Sequence, residues 1–238
     1  QSMPAALASS AVAYLPRGER LTRMLLLGTG LLPVERYCGE LDWVYCPKEQ
    51  PVATRSARLA VTVHDVRGLE STIPGMERSA GRRDQARWNM LMQRILKRAD
   101  LIATVSEFTR RRLLELFGLT EDERIVVVGN GVSEGYFASE DSADQEVLEQ
   151  YGVSDRPYLC LVGSLTHRKG GDLILSLADR LRAARLPHRI VVSGRRHDAD
   201  LAARYQEMKS EHPDLPLDLP GYVTEADQAA LLRHSVAL

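Results

Sequence analysis

The hydrophobic pattern from residue 58 onward alternates between two kinds of segment. Short continuous runs of apolar, often β-branched residues predict parallel strands that are buried on both faces. Longer stretches with apolar residues three or four positions apart predict amphipathic helices. The runs that predict strands cover residues 59–63, 101–105, 124–128, 158–162, 189–193 and 217–219, and another begins at 236.

Helices are predicted between these strands, and two of them have clear capping signals. Ser106 precedes a first turn that carries Glu107, and Thr224 precedes the last helix. Gly118 is placed to end the helix that begins at Glu107. In the first 40 residues the pattern indicates a helix over residues 21–32 and little else. The other predicted helices cover residues 84–98, 107–117, 170–184, 198–211 and 225–234.

Strands that alternate with helices of this length are typical of βαβ units, so the predicted fold class is α/β with parallel sheets. One series of such units precedes Val132, and a second follows a polar, acidic stretch over residues 132–155. We therefore predict two domains, over residues 1–131 and 132–238. The chain ends inside an apolar run that belongs within a sheet, so we expect a fragment with both domains incomplete.

The composition limits the classes of function. Of 238 residues, 31 are basic and 32 acidic, so the formal net charge is -1 and no overall field favours nucleic acid or an anionic membrane. The three cysteines form no CxxC pair, and an odd number argues against a disulfide framework. No apolar run reaches the roughly 18 residues of a membrane span. We expect a cytoplasmic protein with no nucleic-acid partner; a peripheral position at the inner membrane surface stays open.

The strongest candidate site lies between a predicted strand and helix, from Gly163 to Gly170. In open α/β sheets, ligands bind beyond the carboxyl ends of the strands, where this segment falls. Gly163 allows close approach of the backbone, and Arg168 with Lys169 places two cations beside a helix N-terminus. Cations, free amides and the helix dipole together favour a diphosphate. The alternative, a solvated basic turn, stays open.

Two other strand ends carry polar pairs. His64, beside Asp65, could bind a sugar hydroxyl or transfer a proton, or it could be a structural residue bonded to a backbone carbonyl. Ser106 and Glu107 suit a helix start better than catalysis, although their position lets them touch a ligand. The remaining histidines have no metal-ligand spacing, and no P-loop or G-x-G-x-x-G motif is present.

Five segments then occur in the order found in a known family. They read AVTVHD over residues 60–65, KRADLIATVSEFT over 97–109, RIVVVGNGV over 124–132, LVGSLTHRKG over 161–170 and GYVTEADQAALL over 221–232. In this series the chain resembles the retaining, GT-B-fold glycosyltransferases of family four, also called glycosyl transferases group 1. Each motif alone is weak; the order of all five carries the resemblance, which covers residues 43–238.

The resemblance implies two Rossmann-like domains with the active site in the cleft between them. The first domain then lies on the acceptor side, and the second binds the nucleotide sugar. The residues matching the family's diphosphate and nucleobase contacts are Gly163, Ser164, Arg168 and Lys169 for the diphosphate, and Tyr222 and Val223 for the nucleobase.

The resemblance also implies the chemistry. His64 matches a histidine near the transferring sugar, so His64 and Asp65 are the predicted catalytic residues, and Ser106 and Glu107 are assigned to the acceptor side of the cleft. The leaving phosphate helps to deprotonate the acceptor hydroxyl, and neither a metal nor a bound cofactor is required. The expected partners are a nucleotide-sugar donor and a glycan or lipid-linked acceptor, in bacterial cell-envelope or polysaccharide synthesis.

Two features depart from the family pattern. Many members carry Arg directly after the Val–Gly step, where this chain has Ser164; the role passes to Arg168, which matches a subgroup. A segment with two glutamates seven residues apart, which binds the donor ribose and sugar, is absent, as is the Gly-rich first strand-loop. A non-catalytic nucleotide-sugar-binding module, or another GT-B enzyme such as a nucleotide-sugar epimerase or a sugar phosphorylase, therefore stays open.

Overall fold

The computed structural model describes residues 32–69, 82–137, 143–195 and 197–237. The chain divides into two compact units, Gln1–Asn130 and Gly131–Leu238. The predicted helix over residues 21–32 lies almost entirely outside the described residues. None of the helices in the described part of the chain is long and apolar enough to cross a membrane.

The first unit contains a four-stranded sheet in which neighbouring strands are parallel and lie in chain order. Its core forms where the buried faces of the strands meet apolar side chains of the helices, among them Met92, Ile95 and Leu113, which are fully buried. The elements are α1 (Glu35–Cys38), β1 (Trp43–Cys46), β2 (Arg58–Val63), α2 (Arg82–Arg98), β3 (Leu101–Thr104), α3 (Glu107–Leu116) and β4 (Ile125–Val127).

The second unit is built in the same way around a parallel sheet with the strand order β5-β6-β7. Two short 3₁₀ turns, Glu134–Tyr136 and His167–Lys169, accompany the regular elements. The elements are α4 (Asp144–Gln150), β5 (Tyr158–Val162), α5 (Gly171–Ala183), β6 (Arg189–Ser193), α6 (Ala199–Glu211), β7 (Leu217–Gly221) and α7 (Glu225–Arg233).

The strand order of the second sheet reverses at β5. On one side of β5 the chain bonds to β6: the amide of Gly163 donates to the carbonyl oxygen of Ser193 at 2.8 Å. On the other side, the amide of Cys160 donates to the carbonyl oxygen of Ala237 at 3.0 Å. Ala237 also forms a parallel bridge with Leu159. Because successive residues of a strand bond to opposite edges, β6 and Ala237 flank β5 on its two sides. Such a reversal is where doubly wound sheets bind their ligands.

The structure confirms the predicted fold class and most of the predicted elements. Both capping predictions hold: the Ser106 hydroxyl accepts from the Thr109 amide, and the Thr224 hydroxyl accepts from the Asp227 amide, each at 3.1 Å. The run predicted to begin a strand at Val236 forms a parallel bridge to β5, between Ala237 and Leu159. β1 was not predicted, although its four residues are all apolar or aromatic; two of them, Trp43 and Tyr45, are exposed.

The partly buried side chain of Glu35 anchors the segment that leads into β2. Glu35 Oε1 accepts three backbone hydrogen bonds, from Arg55 at 2.8 Å and from Ser56 and Ala57 at 3.1 Å each. Burial alone raises the pKa of Glu35, but the backbone hydrogen bonds outweigh this effect and lower the pKa to about 2. Carboxylates that accept several amide hydrogens are held in the charged form in this way.

We expect Glu35→Gln to destabilise the first unit by about 1–3 kcal/mol at neutral pH, since the amide keeps an acceptor oxygen but loses the charge. The folded pKa is depressed, so the stabilisation is complete above the unfolded value of 4.5 and is lost as pH falls towards about 2. Urea unfolding followed by fluorescence of Trp43 and Trp88, at several pH values, measures the difference between variant and wild type. A difference that stays constant below pH 4.5, or an equal loss in the exposed control Glu40→Gln, would contradict the assignment.

Candidate functional site

Two glycines allow the loops after β5 and β6 to touch. A Cβ at Gly194 would lie 2.4 Å from the carbonyl carbon of Gly163 and 2.5 Å from the Ser164 nitrogen, so only a hydrogen fits there. Gly163 has φ +117°, and a Cβ on it would lie 1.9 Å from Lys169 Nζ. Glycine at both positions therefore brings two strand ends together and leaves room for Lys169 to lie over them.

Lys169 lines a pocket of about 330 Å³ at the end of β5. Its ammonium group donates to the carbonyl oxygen of Val162 at 2.8 Å. Gly170 is left-handed, with φ 74°, and α5 begins directly after it, which brings a helix N-terminus next to the lysine. The residues lining the pocket are Leu161, Val162, Gly163, Ser164, Lys169, Ile174 and Val192.

Three of the four residues predicted to bind a diphosphate thus share one pocket. Gly163, Ser164 and Lys169 line it, whereas Arg168 is not among the lining residues, although both Arg168 and Lys169 are exposed. The alternative of a solvated turn therefore fits Arg168, which does not line the pocket. The pocket combines a backbone bend, a cation and a helix N-terminus, an arrangement that suits an anion.

Side chains of α6 and its cap hold the turn that carries Lys169. The Leu165 amide donates to His197 Nδ1 at 3.0 Å, and the His167 amide donates to Asp198 Oδ2 at 2.8 Å. The imidazole of His167 lies 2.7 Å from Asp200 and 2.6 Å from Asp172. Hydrogen bonds with Asp200 and then Asp172 raise the pKa of His167 above its ordinary value.

The two residues predicted to meet a nucleobase differ in exposure. Tyr222 follows β7 and is 64% exposed, and the guanidinium of Arg195 stacks over its ring at 4.2 Å from the centroid. Val223 is buried among core residues of the second unit, so only its backbone can face a ligand. The stack of Arg195 on Tyr222 is a long-range contact that the local sequence pattern does not reveal.

In the first unit, His64 forms the contact expected of a structural histidine. Its Nε2–H donates to the carbonyl oxygen of Pro47 at 2.8 Å, and its backbone amide donates to Glu49 Oε1 at 2.6 Å. In the neutral ring this leaves Nδ1 as an acceptor. Asp65 accepts from the backbone amide of Arg67 at 3.0 Å and pairs with its guanidinium at 2.7 Å. Both residues are tied into the loop that follows β2.

Ser106 and Glu107 act chiefly at the start of α3. Ser106 caps the helix, and Glu107 pairs with Arg110 at 3.1 Å. The Ser106 hydroxyl also lies 3.0 Å from the hydroxyl of Thr109, which donates to the His64 carbonyl at 3.4 Å. Hydrogen bonds therefore join the first turn of α3 to the start of the loop that follows β2. Within the described ranges, no group of three or more His, Cys, Asp or Glu residues is arranged to hold a metal ion.

Comparisons with known sequences give two findings. Residues 14–135, just over half of the chain, match the family described as Glycosyltransferase Family 4. The GDP-mannose-dependent alpha-(1-6)-phosphatidylinositol monomannoside mannosyltransferase of Mycolicibacterium smegmatis is 32% identical over 101 residues. That alignment covers 40% of this chain and 26% of the mannosyltransferase, so this chain spans about a quarter of that relative.

Solved structures show the same fold at low sequence identity. HepE from Anabaena, crystallised with UDP and glucose, matches with a TM-score of 0.55 and 17% identity over 75% of this chain and 45% of HepE. A glycosyltransferase from Rickettsia africae matches with a TM-score of 0.51 and 19% identity, over 76% of this chain and 44% of its own. These likenesses confirm the predicted GT-B class of two Rossmann-like α/β units, and this chain spans less than half of each neighbour.

We expect Gly194→Ala to destabilise the second unit by about 1–3 kcal/mol, because the added methyl group meets backbone atoms that cannot rotate away. Thermal and urea unfolding followed by circular dichroism measure the loss. The matched control is Gly135→Ala, since a Cβ at residue 135 meets no atom within 4 Å. Equal stability of the two variants would show that the loops after β5 and β6 do not approach as closely as described.

Proposed function

This chain belongs to glycosyltransferase family 4, and from that premise we propose that the complete protein transfers a hexosyl group from a nucleotide diphosphate-sugar to an acceptor hydroxyl. The observation that carries the proposal is the pocket at the end of β5. There Gly163, Ser164 and Lys169 meet the N-terminus of α5, at the reversal of strand order. A diphosphate fits this combination because its oxygens can accept from the ammonium and from free amides together.

The hydrogen bond from Lys169 to a neutral carbonyl supports its proposed role. Its ammonium lies over Gly163 and donates to the carbonyl oxygen of Val162 at 2.8 Å. A charged phosphate oxygen is a stronger acceptor than a neutral carbonyl, so the lysine can exchange one partner for the other with a small movement. The proposed contribution to transfer is to stabilise the charge on the departing diphosphate.

We assign the nucleobase to the end of β7. The exposed ring of Tyr222 and the guanidinium stacked on it offer flat surfaces for a base, and the backbone of Tyr222 and Val223 offers polar groups beside them. Register pairing places Gly221 beside Ser193, so this surface and the Lys169 pocket follow strand ends on the same edge of one sheet. A nucleoside diphosphate could place its base on the Tyr222 surface and its phosphates in the Lys169 pocket.

On the acceptor side we propose His64 as the residue near the reacting sugar. With Nε2–H bonded to Pro47, the neutral ring presents Nδ1 as an acceptor for a hydroxyl group. Asp65 shares the loop, and Ser106 and Glu107 begin the neighbouring helix, so these three are proposed to shape the acceptor side. The bond to Pro47 fixes the ring orientation in either a structural or a catalytic role.

The finer features of the reaction are also part of the proposal. We propose retention of configuration without a bound cofactor or metal, because a lysine and a helix N-terminus can stabilise the leaving diphosphate, whose oxygen accepts the acceptor proton. The relative from Mycolicibacterium smegmatis is named for a lipid-linked acceptor, which supports a glycan or lipid-linked acceptor in cell-envelope or polysaccharide synthesis. A cytoplasmic site of action, with peripheral contact to the inner membrane, completes the proposal.

Product analysis of the full-length protein tests this function. The protein is incubated with UDP-glucose or GDP-mannose and candidate acceptors, with and without EDTA, and the anomeric configuration of the product is determined by NMR. Sugar transferred with retention, at a rate that EDTA leaves unchanged, is the expected result. Epimerised donor, sugar 1-phosphate, or donor binding without any turnover would each favour one of the alternative functions.

We expect Lys169→Ala in the full-length protein to weaken donor binding by about 1–3 kcal/mol, the usual worth of a hydrogen bond to a charged group. Isothermal titration with UDP and GDP measures the loss. Arg168→Ala is the matched comparison, since it removes a neighbouring cation that does not line the pocket. Unchanged affinity in Lys169→Ala would remove the assignment of the pocket to the diphosphate.

We expect His64→Ala to reduce turnover more than donor affinity, because the side chain is assigned to the reacting sugar rather than to the diphosphate. Steady-state kinetics together with donor titration separate the two quantities. A fall in both by the same factor would instead indicate that His64 only supports the loop through Pro47. His64→Gln, which retains a donor for that carbonyl, distinguishes lost loop structure from lost chemistry.

A further inference from the structure

We propose that His167 is a positioning residue, which holds the Lys169 turn in its binding arrangement while both ring nitrogens are protonated. The inference rests on the proposed function, since the turn matters for affinity only if it binds the donor diphosphate. It assigns a role to a histidine that the sequence marked only as lacking metal-ligand spacing. The role makes donor affinity depend on pH near neutrality.

The two contacts of the ring carry the argument. Nδ1 lies 2.6 Å from Asp172 Oδ2, and Nε2 lies 2.7 Å from Asp200 Oδ2. A neutral imidazole has a single N–H, so it can donate to one of these carboxylates but not to both. Only the imidazolium satisfies the two contacts together. His167 therefore joins the first turn of α5 to the first turn of α6 as a cation.

The charges around the ring come from both helices. Asp172 belongs to α5, Asp200 and Arg204 to α6, and Arg204 forms a close ion pair with Asp172. Asp198, the residue before α6, accepts from the backbone amide of His167, and Arg168 and Lys169 follow His167 on its own turn. Two carboxylates thus contact the ring itself, and they raise the pKa of His167 above its ordinary value, through Asp200 first and then Asp172.

Loss of the proton has a defined structural consequence. The folded pKa is raised, so both contacts are present below the ordinary histidine pKa, and one of them is lost as pH rises through the raised value. In the turn over His167–Lys169, the side chain of His167 then loses its hydrogen bond to one of the two helices, so that either its backbone bond to Asp198 alone holds this residue to the start of α6 or the ring contact to α5 is lost. Lys169 is two residues away on this turn, so its ammonium is less well positioned for a phosphate.

Linkage makes the effect reciprocal. If protonated His167 favours donor binding by a given factor, bound donor favours protonation of His167 by the same factor. The pKa of His167 therefore rises further when the donor is bound. This pair of effects separates a positioning role from a contact that merely adds stability to the second unit.

The affinity experiment uses the full-length protein and nucleotide sugars. UDP-glucose and GDP-mannose are titrated calorimetrically from about pH 5.5 to 8.5, the range in which histidine changes charge. Nucleotide sugars are preferred to UDP or GDP because they lack the terminal phosphate group that titrates in this range. We expect wild-type affinity to fall roughly fivefold or more as pH rises, the low end of typical coupling between sites.

Two variants provide the comparison. His167→Gln is expected to bind weakly with little dependence on pH, and Asp200→Asn is expected to move the fall in affinity to lower pH. His212→Gln is the matched control, since it removes a histidine at the opposite end of α6 and is expected to keep the wild-type profile. NMR titration of the His167 ring, in wild type and in Asp200→Asn, reports the pKa directly.

The outcomes distinguish this inference from the proposed function. A flat wild-type affinity profile, or an ordinary pKa of His167 that Asp200→Asn leaves unchanged, would overturn the positioning role while leaving nucleotide-sugar binding intact. No binding of either nucleotide sugar at any pH would overturn the proposed function, and the positioning role with it. A sloped profile that His167→Gln abolishes and His212→Gln retains would support the inference.

Discussion

The candidate site depends on the close contact between residue 194 and the backbone of residues 163 and 164. A parallel sheet aligns the carboxyl ends of β5 and β6, but side chains normally keep the loops that follow apart. Here glycine at 194 lets the two loops meet, and glycine at 163 leaves space above the bend for Lys169. The pocket at the end of β5 is therefore a consequence of two missing side chains as much as of the residues that line it.

The sequence predicted the parts of the fold that local patterns encode. Continuous apolar runs identified β5 and β6 with their observed bounds, and the hydroxyls of Ser106 and Thr224 identified two helix starts. β1 was missed although its run of four residues is apolar and aromatic; the run is short, and the strand lies at the edge of the described sheet with Trp43 and Tyr45 exposed. The Glu35 anchor was also invisible, since its three amide partners lie 20 to 22 residues further along the chain.

In the candidate site, too, the sequence predicted local contacts but not contacts between residues far apart in the chain. Strand-end position and the family resemblance located Gly163 and Lys169, which contact each other over a few residues of sequence. The side chains of His64 and His167 contact groups that are distant in the sequence. The Pro47 carbonyl lies 17 residues before His64, and Asp200 lies 33 residues after His167. The role of a histidine is difficult to predict from sequence alone, because its protonation and tautomer depend on the acceptors that the fold places beside its two ring nitrogens.

Lys169 and His167 lie on the same basic turn but have different partners, which explains how the turn can be ordered and still have a cation that can bind an anion. An ammonium held by a neutral carbonyl loses little when a phosphate oxygen replaces that carbonyl, so Lys169 is free to exchange partners. His167 is held by two carboxylates, which an incoming anion cannot replace and which cancel its charge locally. In the proposed function, His167 fixes the turn and Lys169 binds the donor. If carboxylates neutralised Lys169 as they neutralise His167, the turn would keep its contacts but would offer less positive charge to the proposed diphosphate.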